Sequence, residues 1–287
     1  MNNKFKKIVA TTMAFFSLST TFLSTPVLAQ ESADTPELVE FNAASKAAIS
    51  VDFETGKIFY AKDADTPHGI ASITKLLTAY ITLDQVKQGN FKWDDTIAAS
   101  QYAHQLSIDP RLSGVPLELG REYNIRELYE ASLIASANGA AVLLAEKIAG
   151  SEEKFVQMMS AQMEEWGIKD SHLVNASGLN NSLIPEAFRI PGVPENDENL
   201  MSARGVAIIA RHIMKEFPEV LETTSKPMLA FGQKTFSGVE VRNWNAMLPD
   251  MPAEYPGVDG LKTGTTTFAG QCFVGTAKKE DWRIITV

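Results

Sequence analysis

Cysteine is almost absent from the 287-residue chain, which contains a single one, Cys272. One cysteine excludes an intramolecular disulfide and any zinc site built from several thiolates. Histidine is scarce as well, and no His-Glu-x-x-His motif is present. The four histidines are His68, His104, His172 and His212. Their spacing is not that of a metal site, so the sequence predicts neither a metal nor a cofactor.

Positive charge is in deficit, because 26 lysines and arginines stand against 35 aspartates and glutamates and give a net charge of -9. A protein that binds nucleic acid neutralises phosphates with clustered basic side chains. The acidic balance therefore argues against nucleic acid as a partner. The chain also lacks Gly-x-Ser-x-Gly and Gly-x-x-x-x-Gly-Lys, which the α/β-hydrolases and the P-loop nucleotide-binding proteins require.

Acidic residues are missing from the first 30 positions, where three lysines precede an apolar run at residues 8–23. The small-residue ending Val27-Leu28-Ala29 follows this run. The run is rich in serine and threonine and no basic stop-transfer cluster follows, which favours a signal peptide over a membrane span. We expect residues 1–29 to be a signal peptide of an exported protein and residues 30–287 to form one domain.

Short apolar segments near both ends of this domain predict antiparallel strands. Residues 47–51 and 58–61 flank the turn-like Glu54-Thr55-Gly56-Lys57, which is typical of a hairpin. Three more segments have the strand pattern, at 261–267, 271–277 and 282–287. No internal repeat or Pro-rich linker divides the chain. The sequence therefore predicts a single domain in which these strands are combined with helices.

Helical periodicity dominates the middle of the chain. Five helices are predicted, at 72–83, 124–136, 140–148, 151–166 and 202–217. The second begins with the capping-box pattern Asn124-x-x-Glu127, and the break at 136–139 separates it from the third. The Gly- and Asn-rich connector 175–197 is expected to be a long surface loop.

A serine hydroxyl is a weak nucleophile and needs a nearby base, which a lysine one helical turn away supplies from the same face. Ser72-Ile73-Thr74-Lys75 provides this pair at the start of a predicted buried helix. The chain contains a second Ser-x-x-Lys at Ser151 to Lys154, where the serine fits an N-cap followed by acidic residues. Spacing alone does not choose between the two motifs.

Two further motifs, each occurring once in the chain, favour the first of these serines. Ser136-Ala137-Asn138 lies in the break between two predicted helices, and Lys262-Thr263-Gly264 lies on a predicted strand. Ser-x-x-Lys, Ser-x-Asn and Lys-Thr-Gly in this order are the motif set of penicillin-binding proteins and serine β-lactamases. Residues 30–287 therefore resemble the low-molecular-weight penicillin-binding proteins, specifically the D-alanyl-D-alanine carboxypeptidases. The segment Asn175–Leu179 is similar to theirs as well.

The resemblance implies an α+β fold of the β-lactamase/transpeptidase type, in which helices flank an antiparallel sheet and form an all-helical subregion. It implies removal of the terminal D-alanine from peptidoglycan stem peptides through an acyl-enzyme, with β-lactam antibiotics as covalent inhibitors. The family's catalytic domain usually continues further, so residues 30–287 are expected to be incomplete at the C-terminal end. The resemblance implies a membrane anchor in full-length relatives, and we expect none within residues 30–287.

The resemblance also implies a role for each residue that matches a family motif. Ser72 resembles the acyl-ester nucleophile and Lys75 its general base. Ser136 resembles a proton shuttle toward the leaving nitrogen, and Asn138 resembles the side chain that holds the substrate amide and Lys75. Lys262 would face the terminal carboxylate of the substrate. Burial and this second lysine would lower the pKa of the first, as a general base requires.

The strand that carries the third motif would supply the remaining contacts. The hydroxyls of Thr263 and Thr265 would join Lys262 at the substrate carboxylate. The N–H groups of Ser72 and Thr265 resemble an oxyanion hole. Gly264 would let the ligand approach the backbone closely.

Two alternatives share the acylation apparatus. A serine β-lactamase would add fast hydrolysis of the acyl-enzyme, in one class through a Glu-x-x-Leu-Asn segment that this chain lacks. A penicillin-binding sensor would be acylated without turnover. Each motif also has a purely structural interpretation, as an N-cap, a helix-to-helix turn or an edge-strand lysine. The occurrence of all three in order favours catalysis.

Overall fold

The structure, a computed structural model, describes residues 41–232 and 238–287. The signal peptide predicted for residues 1–29 lies outside the described residues. The strands are β1 (Ala48–Asp52), β2 (Ile58–Lys62), β3 (His68–Gly69), β4 (Thr96–Ala98), β5 (Glu122–Asn124), β6 (Leu200–Met201), β7 (Met228–Phe231), β8 (Val239–Arg242), β9 (Val258–Thr266), β10 (Gly270–Lys279) and β11 (Trp282–Thr286). The helices are α1 (Lys75–Lys87), α2 (Gln101–Ile108), α3 (Ile125–Ile134), α4 (Asn138–Ala149), α5 (Glu152–Glu165), α6 (Ala203–Glu216) and α7 (Val220–Thr224).

Both ends of the domain meet in one antiparallel sheet, with the strand order β2-β1-β11-β10-β9. The predicted hairpin forms β1 and β2, and the three predicted late strands form β9, β10 and β11, which confirms these predictions. Ser50 of β1 lies opposite Thr286 of β11, and this pairing joins the two ends of the domain. β9 is the edge strand beside the 3-10 turn Ala71–Thr74, so it brings Lys262 to the turn that contains Ser72.

The helices make the larger part of the core, and the predicted helices are confirmed. α4 is buried from Asn138 to Ala145, because small and aliphatic residues occupy almost every position of its first two turns. α1 packs against α3, α4, α5 and α6, and α6 packs in turn on β1, β10 and β11. α6 therefore links the helical region to the sheet, and the sequence-based expectation of a mixed α and β domain is confirmed.

The helix break predicted at 136–139 is confirmed but is shorter than predicted, because α4 begins at Asn138 rather than at Ala140. Ser136 has a left-handed backbone with a φ of 55°. This conformation costs an L-residue roughly 1–2 kcal/mol and marks a site where the surroundings impose the geometry.

The prediction that residues 175–197 form a surface loop is wrong for its first part. Asn175, Ala176 and Ser177 are fully buried, and Leu179 is also in the core. Burial of such a polar segment is possible because its own side chains and those of neighbouring elements satisfy its backbone groups. The rest of the connector contains two short 3-10 turns, Asn181–Leu183 and Glu186–Phe188.

No helix within 41–232 or 238–287 combines the length and the apolar character needed to cross a membrane.

We expect Asn124→Ala to lower the free energy of unfolding by about 1 kcal/mol, because Asn124 caps α3 through a reciprocal capping box. Its Oδ1 accepts the Glu127 N–H at 2.8 Å, and the Glu127 carboxylate accepts the Asn124 N–H. Urea unfolding of the two proteins measures the difference. The exposed Asn196→Ala is the control and is expected to change stability by less than about 0.5 kcal/mol. Equal effects of the two substitutions would contradict the assignment of the cap.

Candidate active site

Ser72 lies in the 3-10 turn Ala71–Thr74, which leads directly into α1. Ala71 precedes it with a left-handed φ of 46°. A Cβ on Gly178 would lie 1.9 Å from the Ala71 carbonyl oxygen, and a Cβ on Gly264 would lie 2.9 Å from the Ser72 nitrogen. Only glycine fits at these two positions, so the serine turn is held between the buried 175–179 segment and β9.

The close contact at Gly264 shows that the role predicted for this glycine is wrong. Its missing side chain was expected to leave room for a ligand, but the space that a Cβ would take is already occupied by Ser72 N, Ile70 O and Ala71 Cβ. Gly264 therefore allows β9 to approach the serine turn.

The structure brings Ser72, Lys75 and Asn138 together. Lys75 Nζ donates to Ser72 Oγ at 2.9 Å, to Asn138 Oδ1 at 2.8 Å and to the Ser177 carbonyl at 2.6 Å. An ammonium group has three N–H donors, and each has one acceptor here. The Lys75 side chain is completely buried, which makes these three bonds necessary.

The orientation of the Asn138 amide follows from its second hydrogen bond. Asn138 Nδ2 donates to the Ser113 carbonyl at 2.9 Å, so Oδ1 is the atom that faces Lys75. The Asn138 backbone N–H donates to the same carbonyl at 3.2 Å. This carbonyl thus fixes both the start of α4 and the amide.

Burial lowers the pKa of Lys75 well below its ordinary value, and the positive charge of Lys262 lowers it further. None of the three acceptors carries a charge that would reverse this shift. The structure therefore contains a lysine that gives up its proton far more readily than a lysine in water, next to a serine hydroxyl. This is the requirement for a general base.

Lys262 and Ser136 form a second buried pair. Lys262 Nζ donates to Ser136 Oγ at 3.0 Å and to the Thr263 carbonyl at 2.8 Å. Burial lowers the pKa of Lys262 to about 7. The left-handed backbone of Ser136 lies at this contact, so the strained residue and the second lysine belong to the same site.

Two threonines of β9, the strand with the Lys-Thr-Gly motif, lie at the surface of the site. Thr263 is half-buried, and Thr265 is exposed and donates its hydroxyl to the Gly264 carbonyl at 2.8 Å.

Near Ser136, a cleft of about 360 Å³ is lined by Ala135, Trp244 and the adjoining residues 240–243. Trp244 Nε1 donates to the Ala135 carbonyl at 3.2 Å.

The sequence did not reveal the buried segment that contributes the Ser177 carbonyl. A backbone acceptor has no side-chain signature, and the Gly- and Asn-rich composition indicated an exposed loop. Asn199 was also missed, because a lone asparagine beyond the connector belongs to no motif, although its side chain accepts the Val174 N–H at 2.6 Å and donates to Thr74 Oγ1 at 2.9 Å. The signal that the sequence does contain is the similarity of Asn175–Leu179 to the D-alanyl-D-alanine carboxypeptidases.

Within the described ranges, no group of three or more histidine, cysteine, aspartate or glutamate side chains is arranged to hold a metal ion. Cys272 is partly buried against the core, and its thiol donates to the Gly69 carbonyl at 3.4 Å.

The family model described as D-alanyl-D-alanine carboxypeptidase, peptidase S11, matches residues 30–287. The chain belongs to this family. It is 29% identical over 282 residues to the D-alanyl-D-alanine carboxypeptidase DacF of Bacillus subtilis strain 168, which covers 98% of this chain and 65% of that protein. The chain therefore spans less than two thirds of the length of this curated relative.

Solved structures of penicillin-binding proteins have the same fold as this peptidase S11 chain. A peptidoglycan synthesis regulatory factor (PBP3) from Streptococcus pneumoniae is 47% identical with a TM-score of 0.81, covering 86% of this chain and 67% of its own. Penicillin-binding protein D2 from Listeria monocytogenes in its ampicillin-bound form is 29% identical with a TM-score of 0.69, covering 86% and 89%. The predicted β-lactamase/transpeptidase-like α+β fold is thereby confirmed.

We expect Gly264→Ala to slow the reaction with fluorescent penicillin that is proposed below for Ser72 by about tenfold to a hundredfold, because the new Cβ displaces the serine turn. The rate is measured by quenching the labelling reaction at successive times and reading the labelled protein by gel fluorescence. Thr267→Ala, at an exposed position just past β9, is the control and keeps the parent rate. A parent-like rate for Gly264→Ala would show that β9 can move away without consequence.

The buried Lys262 predicts a defined dependence of stability on pH. Its pKa is about 7 in the folded chain and about 10.4 when unfolded, so between these values the unfolded chain binds more protons. The free energy of unfolding of the parent chain, measured relative to that of Lys262→Met, therefore rises with pH above 7, by roughly 1.4 kcal/mol per pH unit at most. Urea unfolding of both proteins at pH 6.5 and pH 9 measures the difference. A difference that is independent of pH would contradict the lowered pKa of Lys262.

Proposed function

We propose that the chain is a serine-type D-Ala-D-Ala carboxypeptidase that removes the terminal D-alanine from peptidoglycan stem peptides through an acyl-enzyme on Ser72. Penicillins and other β-lactams acylate the same serine. The supporting observation is the 2.9 Å hydrogen bond between Lys75 Nζ and Ser72 Oγ inside a buried site that lowers the pKa of the lysine. A reactive serine requires such a base within hydrogen-bonding distance.

The arrangement around Lys75 suits the neutral amine as the base. A neutral amine has two N–H groups and one lone pair, and two of its three neighbours, Asn138 Oδ1 and the Ser177 carbonyl, only accept hydrogen bonds. The two N–H groups therefore point at these acceptors. The lone pair is left facing Ser72 Oγ, ready to take the hydroxyl proton.

In the acylation step, Ser72 Oγ bonds to the carbonyl carbon of the penultimate D-alanine and the bond from this carbon to the terminal D-alanine nitrogen breaks. The serine proton passes to Lys75, and Ser136 relays a proton from Lys75 to the departing nitrogen, which leaves Lys75 neutral and Ser136 protonated. The backbone N–H groups of Ser72 and Thr265 stabilise the oxyanion. Water then attacks the ester, releases the shortened peptide and restores the serine hydroxyl.

The strand with the Lys-Thr-Gly motif supplies the substrate contacts. β9 is an edge strand, and an extended peptide binds to such an edge through main-chain hydrogen bonds. Lys262, with the hydroxyls of Thr263 and Thr265, faces the terminal carboxylate. The substrate carboxylate would offset the burial of the lysine and favour its charged form.

The comparisons support the substrate and the inhibitor classes. DacF is named for D-alanyl-D-alanine carboxypeptidase activity, and penicillin-binding protein D2 binds ampicillin. The proposed signal peptide at residues 1–29 supports an extracytoplasmic location on the cell-wall side of the membrane, or secretion. Peptidoglycan, the proposed substrate, lies there.

We expect Ser72→Ala to abolish covalent labelling by fluorescent penicillin and to abolish D-alanine release from a D-Ala-D-Ala peptide. The control is Ser151→Ala, in the other Ser-x-x-Lys motif, where the serine caps α5 and accepts the Lys154 N–H. This control should still be labelled and still release D-alanine.

Three other outcomes separate the alternatives. Labelling of the parent chain without D-alanine release favours a penicillin-binding sensor. Rapid hydrolysis of penicillin with multiple turnovers favours a β-lactamase. A folded parent chain that is not labelled at all contradicts the assignment of Ser72.

A further inference from the structure

One of the three acceptors around Lys75 is a main-chain carbonyl, and its position depends on what holds the backbone. The Ser177 carbonyl accepts from Lys75 Nζ at 2.6 Å, the shortest of the three distances. It belongs to the buried segment 175–179, which is neither a helix nor a strand. Without the regular hydrogen bonds of such elements, side chains must hold this segment in place.

Several side chains hold it. Asn175 Oδ1 accepts the N–H groups of Ser177 and Gly178, which shapes the turn from within. Thr78 Oγ1 on α1 donates to the Ala176 carbonyl at 2.7 Å. On the other side of the same residue, Glu152 Oε1 on α5 accepts the Ala176 N–H at 2.9 Å.

Glu152 is an unusual residue for this task, because its carboxyl group is fully enclosed and both of its hydrogen-bond partners are neutral. Besides the Ala176 N–H, the Tyr102 hydroxyl on α2 donates to Oε2 at 2.9 Å. Burying an ionisable group with neutral partners costs free energy, and an apolar residue would fill the space at lower cost. Burial raises the pKa of Glu152 to about 7, and the nearby Glu146 on α4 adds to the rise.

We propose that Glu152 is a positioning residue for the general base: it fixes the backbone at Ala176 so that the Ser177 carbonyl accepts a hydrogen bond from Lys75. This inference rests on the proposed function, because it assigns Glu152 to the same reaction. Glu152 acts through the backbone, because its hydrogen bonds go to the Ala176 N–H and the Tyr102 hydroxyl and not to Ser72 or Lys75. Residues 176 and 177 are adjacent, so a shift of Ala176 moves the carbonyl of Ser177 with it.

The contact has two consequences for Lys75. A displaced carbonyl leaves one N–H of the amine without an acceptor and frees the amine to rotate away from Ser72. The carbonyl also stabilises the ammonium form, so its loss lowers the pKa of Lys75 further. Lys262 on β9 is the charged group that acts on Lys75, and Glu146 and Tyr102 are the titratable groups that act on Glu152.

Glu152→Met removes the acceptor while filling a similar volume, and Glu152→Gln keeps an amide oxygen for the Ala176 N–H. In Glu152→Gln the amide N–H₂ group can donate to the Tyr102 hydroxyl, so both contacts survive. Glu153→Met is the matched control, because Glu153 is the exposed neighbour on the same helix turn. Glu152→Asp, which keeps the carboxyl but shortens its reach, replaces Glu152→Met if that variant does not fold.

Two readouts are measured on the folded proteins, with thermal melts to establish folding. The first is the rate of acylation by fluorescent penicillin. The second is the pKa of Lys75, followed by NMR titration of chains labelled with ¹³C at lysine Cε, with the Lys75 signal identified by its loss in Lys75→Met. The titration needs no substrate, so it tests the positioning role even if the chain fails to react with penicillin. Absence of labelling in the parent chain would overturn the proposed function alone.

We expect Glu152→Met to acylate about tenfold to a hundredfold more slowly and to have a lower Lys75 pKa, while Glu152→Gln and Glu153→Met match the parent in both readouts. A purely structural role would lower the melting temperature and leave the Lys75 pKa of the folded chain unchanged. A folded Glu152→Met with the parent rate and the parent pKa would overturn the proposal. Equal impairment of Glu152→Gln and Glu152→Met would overturn it as well, because the retained acceptor would then have no effect.

Discussion

The burial of two lysine side chains among neutral oxygen atoms is the constraint on which the rest of the structure depends. Lys75 and Lys262 are among the most deeply buried side chains of the described residues, and their recorded hydrogen-bond acceptors are hydroxyl, amide and carbonyl oxygens. A carboxylate partner would hold each lysine in its charged form. Neutral acceptors satisfy the N–H groups without that effect, so burial can lower the pKa of both. The fold must therefore place each of these oxygens within hydrogen-bonding distance.

Local strain at two residues and close packing at two glycines accompany this placement. Ser136 and Ala71 have left-handed backbones, one beside Lys262 and the other directly before Ser72. Gly178 and Gly264 pack against the serine turn so closely that neither position has room for a Cβ. A core of α1, α3 and α4 surrounds the site and offsets these costs through apolar burial. Side chains fixed in this way keep their geometry without reorganising during a reaction.

The sequence predicted the residues of the site better than it predicted their surroundings. Ser72, Lys75, Ser136, Asn138 and Lys262 were found because side-chain chemistry at fixed spacing leaves a signature, and the structure places them together. Periodicity identified α1, α3, α4, α5, α6 and the five strands of the main sheet for the same reason, whereas the shorter α2 and α7 and the strands β3–β8 were not predicted. The Ser177 carbonyl has no such signature, since every residue has a carbonyl. Glu152 follows Ser151 at the start of a helix, where an acidic residue is expected for its interaction with the helix dipole, so its burial could not be foreseen. Gly264 was identified, but whether its open space serves a ligand or the chain itself depends on tertiary packing.

The proposed reaction requires opposite protonation states of the two buried lysines. Acylation needs Lys75 neutral, and recognition of a terminal carboxylate needs Lys262 charged. Two lysines in water lose their protons over the same range of pH, so this combination would be rare. Here burial lowers the pKa of both lysines, and the charge of Lys262 lowers the pKa of Lys75 further. A terminal carboxylate bound beside Lys262 favours the charged form of Lys262 over that of Lys75, so the substrate itself separates the two pKa values. The neutral acceptors around Lys75 preserve this separation, because an anionic acceptor in place of the Ser177 carbonyl would raise the pKa of Lys75 and remove the base.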